Sequence, residues 1–400
     1  MFRHLLKLIW KRKSRNLMLS LEILLAFMVV FAVAAFGVRS YQLYHMPLGF
    51  EHQDLWSADI EVSDDSPDKI DVAVYDTLRR SLLAMPEVTS VAFATFSPYR
   101  DSTWAGEFSL PDGSRKISSN LLFVSDDFFH TAGMHLAEGR WFSSVDDGSA
   151  DIPVVINRRM AADLFPGRSA LGQRYVETEN SSKRHNSYRV TGVIEEFRDH
   201  GELMAPKDFA LQRFTPATSK DRALSILLKV RPGTPRTFEA ALNRQLKLVR
   251  SDWGYMISPV ADLRASQLRL SMMPLIILAI IAAFLLLMVF FGLFGVLWQN
   301  TTQRIPEIGL RRALGAGSGA IYRQIVAEQM LLSSGAILVA LLLLVQLPIT
   351  GALGESLGWP VFAVAAALSM ALVYLLSLLC SLYPGWRASR LSPTEALHYE

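Results

Sequence analysis

Four apolar runs, each long enough to cross a lipid bilayer, constrain this chain more than any other feature of its sequence. A helix needs about 20 apolar residues to span a hydrocarbon core of about 30 Å. The runs that reach this length are Leu17–Val38, Met272–Trp298, Glu328–Leu347 and Val361–Tyr383. A hydrophobic fraction of 51% and a mean hydropathy of +0.25 agree with a chain partly dissolved in lipid. The sequence therefore predicts an α-helical membrane protein with four transmembrane helices.

The first run follows a basic segment, residues 1–16, and could therefore be either an anchor or a signal peptide. It is long for the apolar core of a signal peptide, and it lacks a clear small-residue cleavage site. We therefore interpret Leu17–Val38 as a retained transmembrane helix.

The distribution of Lys and Arg among the connecting segments predicts the orientation in the membrane. Cytoplasmic segments of membrane proteins carry an excess of Lys and Arg close to the spans. Residues 348–360 contain no Lys or Arg, and residues 39–271 form one long connection between the first two spans. Both segments are expected outside the cytoplasm. The basic residues cluster in three segments expected inside, 1–16, 299–327 and 384–400: Arg3, Lys7, Lys11, Arg12, Lys13 and Arg15; Arg304, Arg311, Arg312 and Arg323; Arg387 and Arg390.

Residues 39–271 have the pattern of a folded domain. Short β-like runs alternate there with helical stretches: IPVVI, YRVTGVI and LSILLKV for strands, NRRMAADLF and TFEAALNRQLKLV for helices. Interleaved elements of this kind predict a large α+β extracytoplasmic domain between helices 1 and 2. The domain has no cysteine, because the only one in the chain is Cys380, which we expect to be a small buried hydrophobe.

The cytoplasmic segment 299–327 carries the start and stop signals of a short helix. Pro306 and Glu307 fall in its first turn, Arg311 and Arg312 lie near its end, and Gly315 follows. An Arg at the bilayer centre costs about 2.5 to 3.5 kcal/mol, so this helix must lie at the cytoplasmic surface. Glu307 and Arg311 are four residues apart and are placed to form a surface ion pair.

The same helix carries apolar residues for contact with lipid or with a partner: Ile305, Ile308, Leu310 and Leu314. Gly315, Gly317 and Gly319 are expected to break the chain before the next helix. From these residues alone, an interfacial helix that positions the third span and a helix that binds a partner are about equally favoured.

Catalytic and metal-binding motifs do not occur in the sequence. His130 and His135 are five residues apart, which is not the spacing of HExxH, and there is no GxSxG. No Gly-Lys pair exists, so a GxxxxGK[ST] phosphate loop is absent. Nucleic-acid binding has no wide basic face to support it. We expect no enzymatic activity and no cofactor in this chain.

Glu22 lies five residues inside the first apolar run. An acid in a membrane span is by default a candidate functional residue. Its shallow position favours a role in orientation or packing over a proton relay. The midplane of all four runs is uncharged, which argues against an ion-coupled transporter with its site at that depth.

Several longer motifs occur together in an order typical of a known family. The order is one span, a large extracytoplasmic domain and three further spans, and the motifs are VSDDFFHTAGMHLAEGRWF, PVVINRRMAADLFPGRSALGQRY, YRVTGVIEEFR, EIGLRRALGA and YPGWRASRLSPTEALHYE. In these features the chain resembles the permease subunits of ABC transporters of the MacB/FtsX type. Residues Tyr41–Gly113 and Glu177–Asn186 match no pattern of that family, so the substrate stays open.

The resemblance implies mechanotransmission by a permease in a bacterial cytoplasmic membrane. It implies a permease homodimer, or a pair with a similar permease, that couples ATP hydrolysis to movements of the outer domain for export. ATP and Mg would be bound by the ATPase, which MacB carries fused ahead of its first span. Only residues 1–16 precede that span here, so we expect a separate ATPase. The residues that the resemblance assigns to ATPase coupling are Glu307, Ile308, Gly309, Arg311, Arg312, Leu314 and Gly315.

Further partners and an alternative function stay open at this point. A periplasmic adaptor and an outer-membrane channel are further partners that the resemblance raises without deciding. An alternative function is a membrane-anchored sensor whose outer domain binds a ligand, although the cytoplasmic segments are too short to fold into an output domain. A membrane-bound hydrolase would need a nucleophile or metal site that the sequence does not show.

Overall fold

A computed structural model describes residues 13–61, 72–178, 186–216 and 223–390 of the chain. The predictions for the N-terminal basic residues Arg3, Lys7, Lys11 and Arg12, and for the last ten residues of the tail, lie outside this part. The chain divides into two compact units. The outer domain is Leu43–Ser271, and the membrane unit contains the residues before and after it.

The described residues form ten α-helices, eleven strands and two short 3₁₀ turns, Ser144–Asp146 and Gly354–Leu357. The helices are α1 (Lys13–Tyr44), α2 (Val72–Leu83), α3 (Phe128–Thr131), α4 (Arg158–Leu164), α5 (Phe238–Val249), α6 (Val260–Gln303), α7 (Ile305–Ala313), α8 (Ser318–Leu344), α9 (Gln346–Thr350) and α10 (Trp359–Arg390). The strands are β1 (Leu55–Glu61), β2 (Val88–Ala94), β3 (Trp104–Ser109), β4 (Lys116–Val124), β5 (Leu136–Gly139), β6 (Ile152–Asn157), β7 (Arg174–Glu177), β8 (Ser187–Ile194), β9 (Phe209–Arg213), β10 (Ser225–Val230) and β11 (Gly254–Pro259).

Four of these helices, α1, α6, α8 and α10, are long and apolar enough to cross a membrane. Every described strand lies between α1 and α6 in the chain. This arrangement confirms the predicted fold class of four transmembrane helices with an α+β domain inserted after the first. Helices α6 and α8 begin before the apolar runs they contain, because a helix satisfies its own backbone hydrogen bonds on either side of the lipid boundary. The predicted domain boundaries depend on where the bilayer lies along each helix, so they stay predictions.

The membrane unit is held together by apolar packing and by polar pairs between α8 and α10. Ser333 Oγ lies 2.8 Å from Ser377 Oγ, and Ser334 Oγ lies 2.9 Å from the Tyr374 hydroxyl. Such pairs of small or polar residues are typical of helix contacts in lipid, where hydrophobic burial does not drive association. Cys380 is buried in the same unit, as predicted, with Sγ 3.6 Å from the Phe290 carbonyl.

The outer domain is built on one sheet in two parts. The strands β11–β1–β10–β2 pair antiparallel in that order, and α2 and α5 bury leucines against them. The pairings β4–β3–β7–β8–β6–β9 return from β9 to β4, so these six strands close into a ring. Strand β2 meets β4 at the single pair Ala94 and Val124. The predicted strands β6, β8 and β10 and helices α4 and α5 are confirmed.

The outer domain contains its own hydrophobic clusters, so we expect it to fold without the spans. A fragment from about Tyr41 to Leu270 should be soluble and should unfold in one cooperative transition. The measurement is urea unfolding followed in parallel by circular dichroism and tryptophan fluorescence. A fragment that aggregates, or two probes whose transitions do not coincide, would contradict an independent domain.

The stability of that fragment should depend on pH through Asp208, which directly precedes β9. Burial, with Asp163 nearby, raises the pKa of Asp208 to about 6, although Arg159 lies 3.6 Å away. An acid whose pKa is raised by folding stays protonated to a higher pH in the folded state than in the unfolded state. The free energy of unfolding therefore falls as pH rises from about 4 to about 6. Asp208→Asn should therefore stabilise the fragment at pH 7 by about 1 to 2 kcal/mol. The same change should have little effect at pH 3.5, where the wild-type carboxyl is protonated as well. A gain of equal size at both pH values would exclude this cause.

Candidate coupling site

The short helix predicted in the cytoplasmic segment is α7, Ile305–Ala313. Gly315 follows it with φ +96°, a left-handed conformation that favours glycine and ends the helix. Gly317 is the N-cap residue of α8, which begins at Ser318. The expectation that Gly319 also breaks the chain is wrong, because Gly319 lies in the first turn of α8, where the helix tolerates a single glycine.

A continuous set of side-chain bonds joins α7, with Arg304 directly before it, to Gln324 and Glu328 of α8. Arg311 donates to Glu307 Oε1 at 2.6 Å, as the spacing predicted, and also to Gln324 Oε1 at 2.9 Å. Gln324 donates to Glu328 Oε1 at 3.0 Å, and Arg304 donates to Glu328 Oε2 at 2.6 Å. These five residues form what we call the polar network. It joins Arg304, directly before α7, and Arg311, near the end of α7, to α8.

An apolar contact lies beside the polar network. Ile308 and Ile321 are 7% and 6% exposed and pack together with Ile325 of α8. Ile305 is buried as well, at 6%. The prediction that Ile305 and Ile308 offer apolar surface to lipid or a partner is therefore wrong, because both are buried within the chain.

Two leucines, Leu310 on the opposite side of α7 and Leu314 directly after its end, are exposed to solvent. Leu310 is 57% exposed and Leu314 is 81% exposed. They are four residues apart, and Leu314 N donates to the Leu310 carbonyl at 3.0 Å, so the helical turn continues and both side chains lie on the same side. We call this surface the leucine face. A neighbouring pair of exposed leucines on a short helix is a candidate docking surface for a partner.

The predicted coupling residues thus divide between two sides of α7 and its end. Ile308 and Gly309 are buried, and Arg311 is half-buried within the polar network. Glu307, Leu314 and Gly315 are exposed. Arg312 belongs to α7, but its side chain lies outside the described part of the structure. The role of these residues in coupling stays a prediction.

The outer end of α1 is held by Arg198, a residue that the sequence analysis missed. The Arg198 side chain is completely buried, at 0% exposure. Burial lowers its pKa, but an arginine remains protonated at any physiological pH. Its guanidinium donates to five backbone carbonyl oxygens at 2.7 to 3.2 Å: those of Leu43, Met46, Pro47, Glu202 and Met204. A cation at the C-terminal end of a helix also complements the helix dipole.

The loop of residues 196–204 also contacts the start of α6. Glu202, whose side chain is 6% exposed, accepts a hydrogen bond from Arg264 in the second turn of that helix. At the other end of the loop, a Cβ at Gly49 would lie 1.8 Å from the Glu196 carbonyl oxygen, so only glycine fits there. We call residues 43–50, the loop 196–204 and Arg264 the outer joint. Within the outer domain, one loop therefore contacts both the last residues of α1 and the second turn of α6.

Arg198 had one signal in the sequence, its place at the end of the motif YRVTGVIEEFR. Nothing in that motif shows that the side chain is buried, because its partners are carbonyl groups of residues 43–47 and 202–204. Glu202 had no local signal. Within the described ranges, no group of three or more His, Cys, Asp or Glu side chains is placed to hold a metal ion.

Glu22 of α1 packs against Gly292 of α6. A Cβ at Gly292 would lie 2.3 Å from Glu22 Oε1, so this glycine leaves room for the carboxyl group. Within the described ranges, Glu22 has no hydrogen bond or ion pair. The close fit favours the packing role, which stays a prediction.

Comparison with known families assigns both units. The family model of the MacB-like periplasmic core domain matches residues 18–245, more than half of the chain. The model of the FtsX-like permease C-terminal domain matches residues 279–393. The chain belongs to the MacB/FtsX permease family. It is therefore a multi-pass membrane protein of the ABC transporter permease type with an extracytoplasmic domain.

Curated relatives of this permease are named macrolide export ATP-binding/permease protein MacB. The protein from Bdellovibrio bacteriovorus is 27% identical over 277 residues, which cover 66% of this chain and 41% of that protein. The protein from Salmonella paratyphi A is 25% identical over an alignment of 421 positions that covers 100% of this chain and 61% of that protein. The permease thus spans about half the length of these relatives.

A solved structure also matches part of this permease. It is the crystal structure of the periplasmic region of MacB from Actinobacillus actinomycetemcomitans, with 15% sequence identity and a TM-score of 0.39. The match covers 56% of this chain and 97% of that one. Within the permease itself, Arg198 and Glu202 lie in the MacB-like region, and the polar network lies in the FtsX-like region.

Proposed function

We propose that this chain is the permease subunit of an ABC transporter that transmits the movement of a cytoplasmic ATPase to its outer domain for export of a substrate. The ATPase is a separate polypeptide that binds ATP and Mg, and it docks on the leucine face of α7. This chain itself performs no hydrolysis. The observation that carries the proposal is the attachment of α7 to α8 by the polar network, beside a leucine face left open for a partner.

The contacts at α7 and at the outer joint support transmission of movement rather than simple anchoring. A helix that only marked the membrane surface would need no bonds to its neighbour, whereas two side-chain bonds, from Arg304 and Arg311, and a buried isoleucine contact join α7 to α8. At the other end, Arg198 and Glu202 hold α1 and α6 in one joint. We infer that this joint is where movement of the two helices enters the outer domain.

The assembly we propose contains two permeases and two ATPase subunits in a bacterial cytoplasmic membrane. The two permeases are copies of this chain, or this chain and a similar one. The outer domains lie on the periplasmic side, where a periplasmic adaptor and an outer-membrane channel would extend the path of the substrate. The name of the curated relatives suggests efflux as the direction of transport.

Copurification from native membranes tests the proposal. We expect the tagged permease to retain an ATPase with a GxxxxGK[ST] loop, and the hydrolysis rate of that ATPase to change when the permease is present. The sensor alternative predicts a different outcome, capture of a kinase or another signalling protein and no ATPase. That result would replace the transporter proposal.

A further inference from the structure

The outer joint borders a cavity to which the proposed function assigns no role. Its volume is about 510 Å³, within the range of about 300 to 1,000 Å³ typical of small-molecule sites. Its walls are the segment 44–54 that follows α1, Glu202 of the joint loop, Lys229 of β10 and Arg264 of α6. All these residues belong to the outer domain.

One side of the cavity is apolar. Phe50 is 7% exposed, and its ring packs 5.6 Å from Tyr99 and 5.4 Å from Phe197, measured between ring centroids. Met46 and Tyr44 are 36% and 46% exposed, so their side chains are open to an incoming molecule. This side of the cavity would take a hydrocarbon or aromatic group.

The cations that line the cavity are already neutralised by partners. Lys229 Nζ lies 2.8 Å from Glu51 Oε2, and Lys229 lowers the pKa of that carboxyl. Arg264 is bound to Glu202. Burial, and then the nearby Arg264 cation, lower the pKa of His52, which is therefore neutral at physiological pH. Among the described residues that line the cavity, no unpaired cation is left to bind an anionic ligand.

The remaining charge in the wall of the cavity is the carboxylate of Asp54. Among the described residues, this side chain has no hydrogen bond and no ion pair. Its backbone is fixed, since φ is +55° and the Asp54 carbonyl accepts a hydrogen bond from Val230 N at 2.8 Å. A left-handed conformation is rare outside glycine, although Asp and Asn tolerate it best. The cavity is therefore preorganised around one uncompensated negative charge beside an apolar wall.

We propose that this cavity binds a lipophilic organic cation, with Asp54 facing its charge and Met46, Leu48 and Phe50 contacting its apolar body. The proposal names a substrate class for the proposed transporter and rests on that function for what binding achieves. Glu202 and Arg264 belong both to the cavity wall and to the outer joint. A molecule bound here contacts the residues that hold the two membrane helices.

The test uses the full chain in lipid nanodiscs and two probes of nearly equal size, tetraphenylphosphonium and tetraphenylborate. Equilibrium dialysis against empty nanodiscs measures saturable binding to the protein alone. We expect the cation to bind at least about tenfold more tightly than the anion, since the uncompensated charge in the cavity is negative. Equal binding of the two probes would overturn the proposal.

Two variants locate the binding and one controls for charge. Asp54→Asn removes the charge while keeping a residue that tolerates the left-handed backbone, and it should weaken cation binding about tenfold. Leu48→Trp should reduce binding by filling the cavity. Glu239→Gln, an exposed position on α5, removes one charge elsewhere and should leave binding unchanged. Unchanged affinity in Asp54→Asn would also overturn the proposal. Because no ATPase is present, failure here is distinguishable from failure of the transporter proposal.

Discussion

Replacing Arg198 by Met should destabilise the outer domain by about 3 to 5 kcal/mol, because buried carbonyl groups would lose their donor. The side chain is fully buried and donates to five carbonyl oxygens, and Met has a similar length but no donor. Arg198→Lys keeps the charge but has a single nitrogen in place of the planar fork, so it should lose a part of the stability. Urea unfolding of the outer-domain fragment, compared with the wild type, measures the difference.

A matched control separates burial from the loss of a positive charge. Arg158 is paired with Glu195 at 2.6 Å, but its side chain is 58% exposed. Exposed pairs contribute about 0 to 1 kcal/mol, so Arg158→Met should have a small effect. If Arg198→Met cost no more than Arg158→Met, the outer joint would not be held by Arg198. In the full transporter, Arg198→Lys should also weaken coupling while the protein still folds.

Replacing Leu310 and Leu314 together by Ala should weaken association with the ATPase by at least about thirtyfold. Loss of two leucines that each contribute about 1 kcal/mol to the interface would cost about 2 kcal/mol, and 1.4 kcal/mol corresponds to a factor of ten. Both side chains are exposed in the permease alone, at 57% and 81%, so their loss should leave its stability nearly unchanged. The measurement is the affinity of the purified ATPase for the permease in nanodiscs, together with the stimulated hydrolysis rate.

Leu248→Ala provides the control, since this leucine is 75% exposed on α5 of the outer domain. It should leave ATPase binding unchanged. The leucines test docking more directly than Glu307, Arg311 or Gly309. Arg311 is part of the polar network and Gly309 is buried, so changes there would also loosen α7 within the chain. Wild-type affinity in the double leucine variant would return α7 to the role of an interfacial spacer.

The features predicted correctly from the sequence are those that depend on neighbouring residues. Runs of apolar residues specify the spans, and Pro306, Glu307 and Gly315 mark the ends of α7, because capping and helix propensity act over a few residues. The Glu307–Arg311 pair followed from spacing alone. These signals need no knowledge of the rest of the fold.

The features that the sequence did not predict depend on distant contacts. The parallel pairing of β4 with β9 closes the six-stranded ring across a long stretch of chain. Arg198 is buried because the carbonyl groups of the distant segment 43–47 surround it together with those of residues 202–204. Likewise, Ile308 and Leu310 look alike in the sequence, and only the position of Ile321 decides which of them is buried.

The central claim is that movement at α7 reaches the outer domain, and one distance measures it most directly. A spin label at Ser144, an exposed position of the outer domain, in a Cys380→Ala background gives one label per chain. In a transporter with two copies of this chain, the distance between the labels should change when ATP replaces ADP. The change should disappear in the Leu310→Ala, Leu314→Ala variant. An unchanged distance in a wild-type complex that still binds and hydrolyses ATP would contradict the claim.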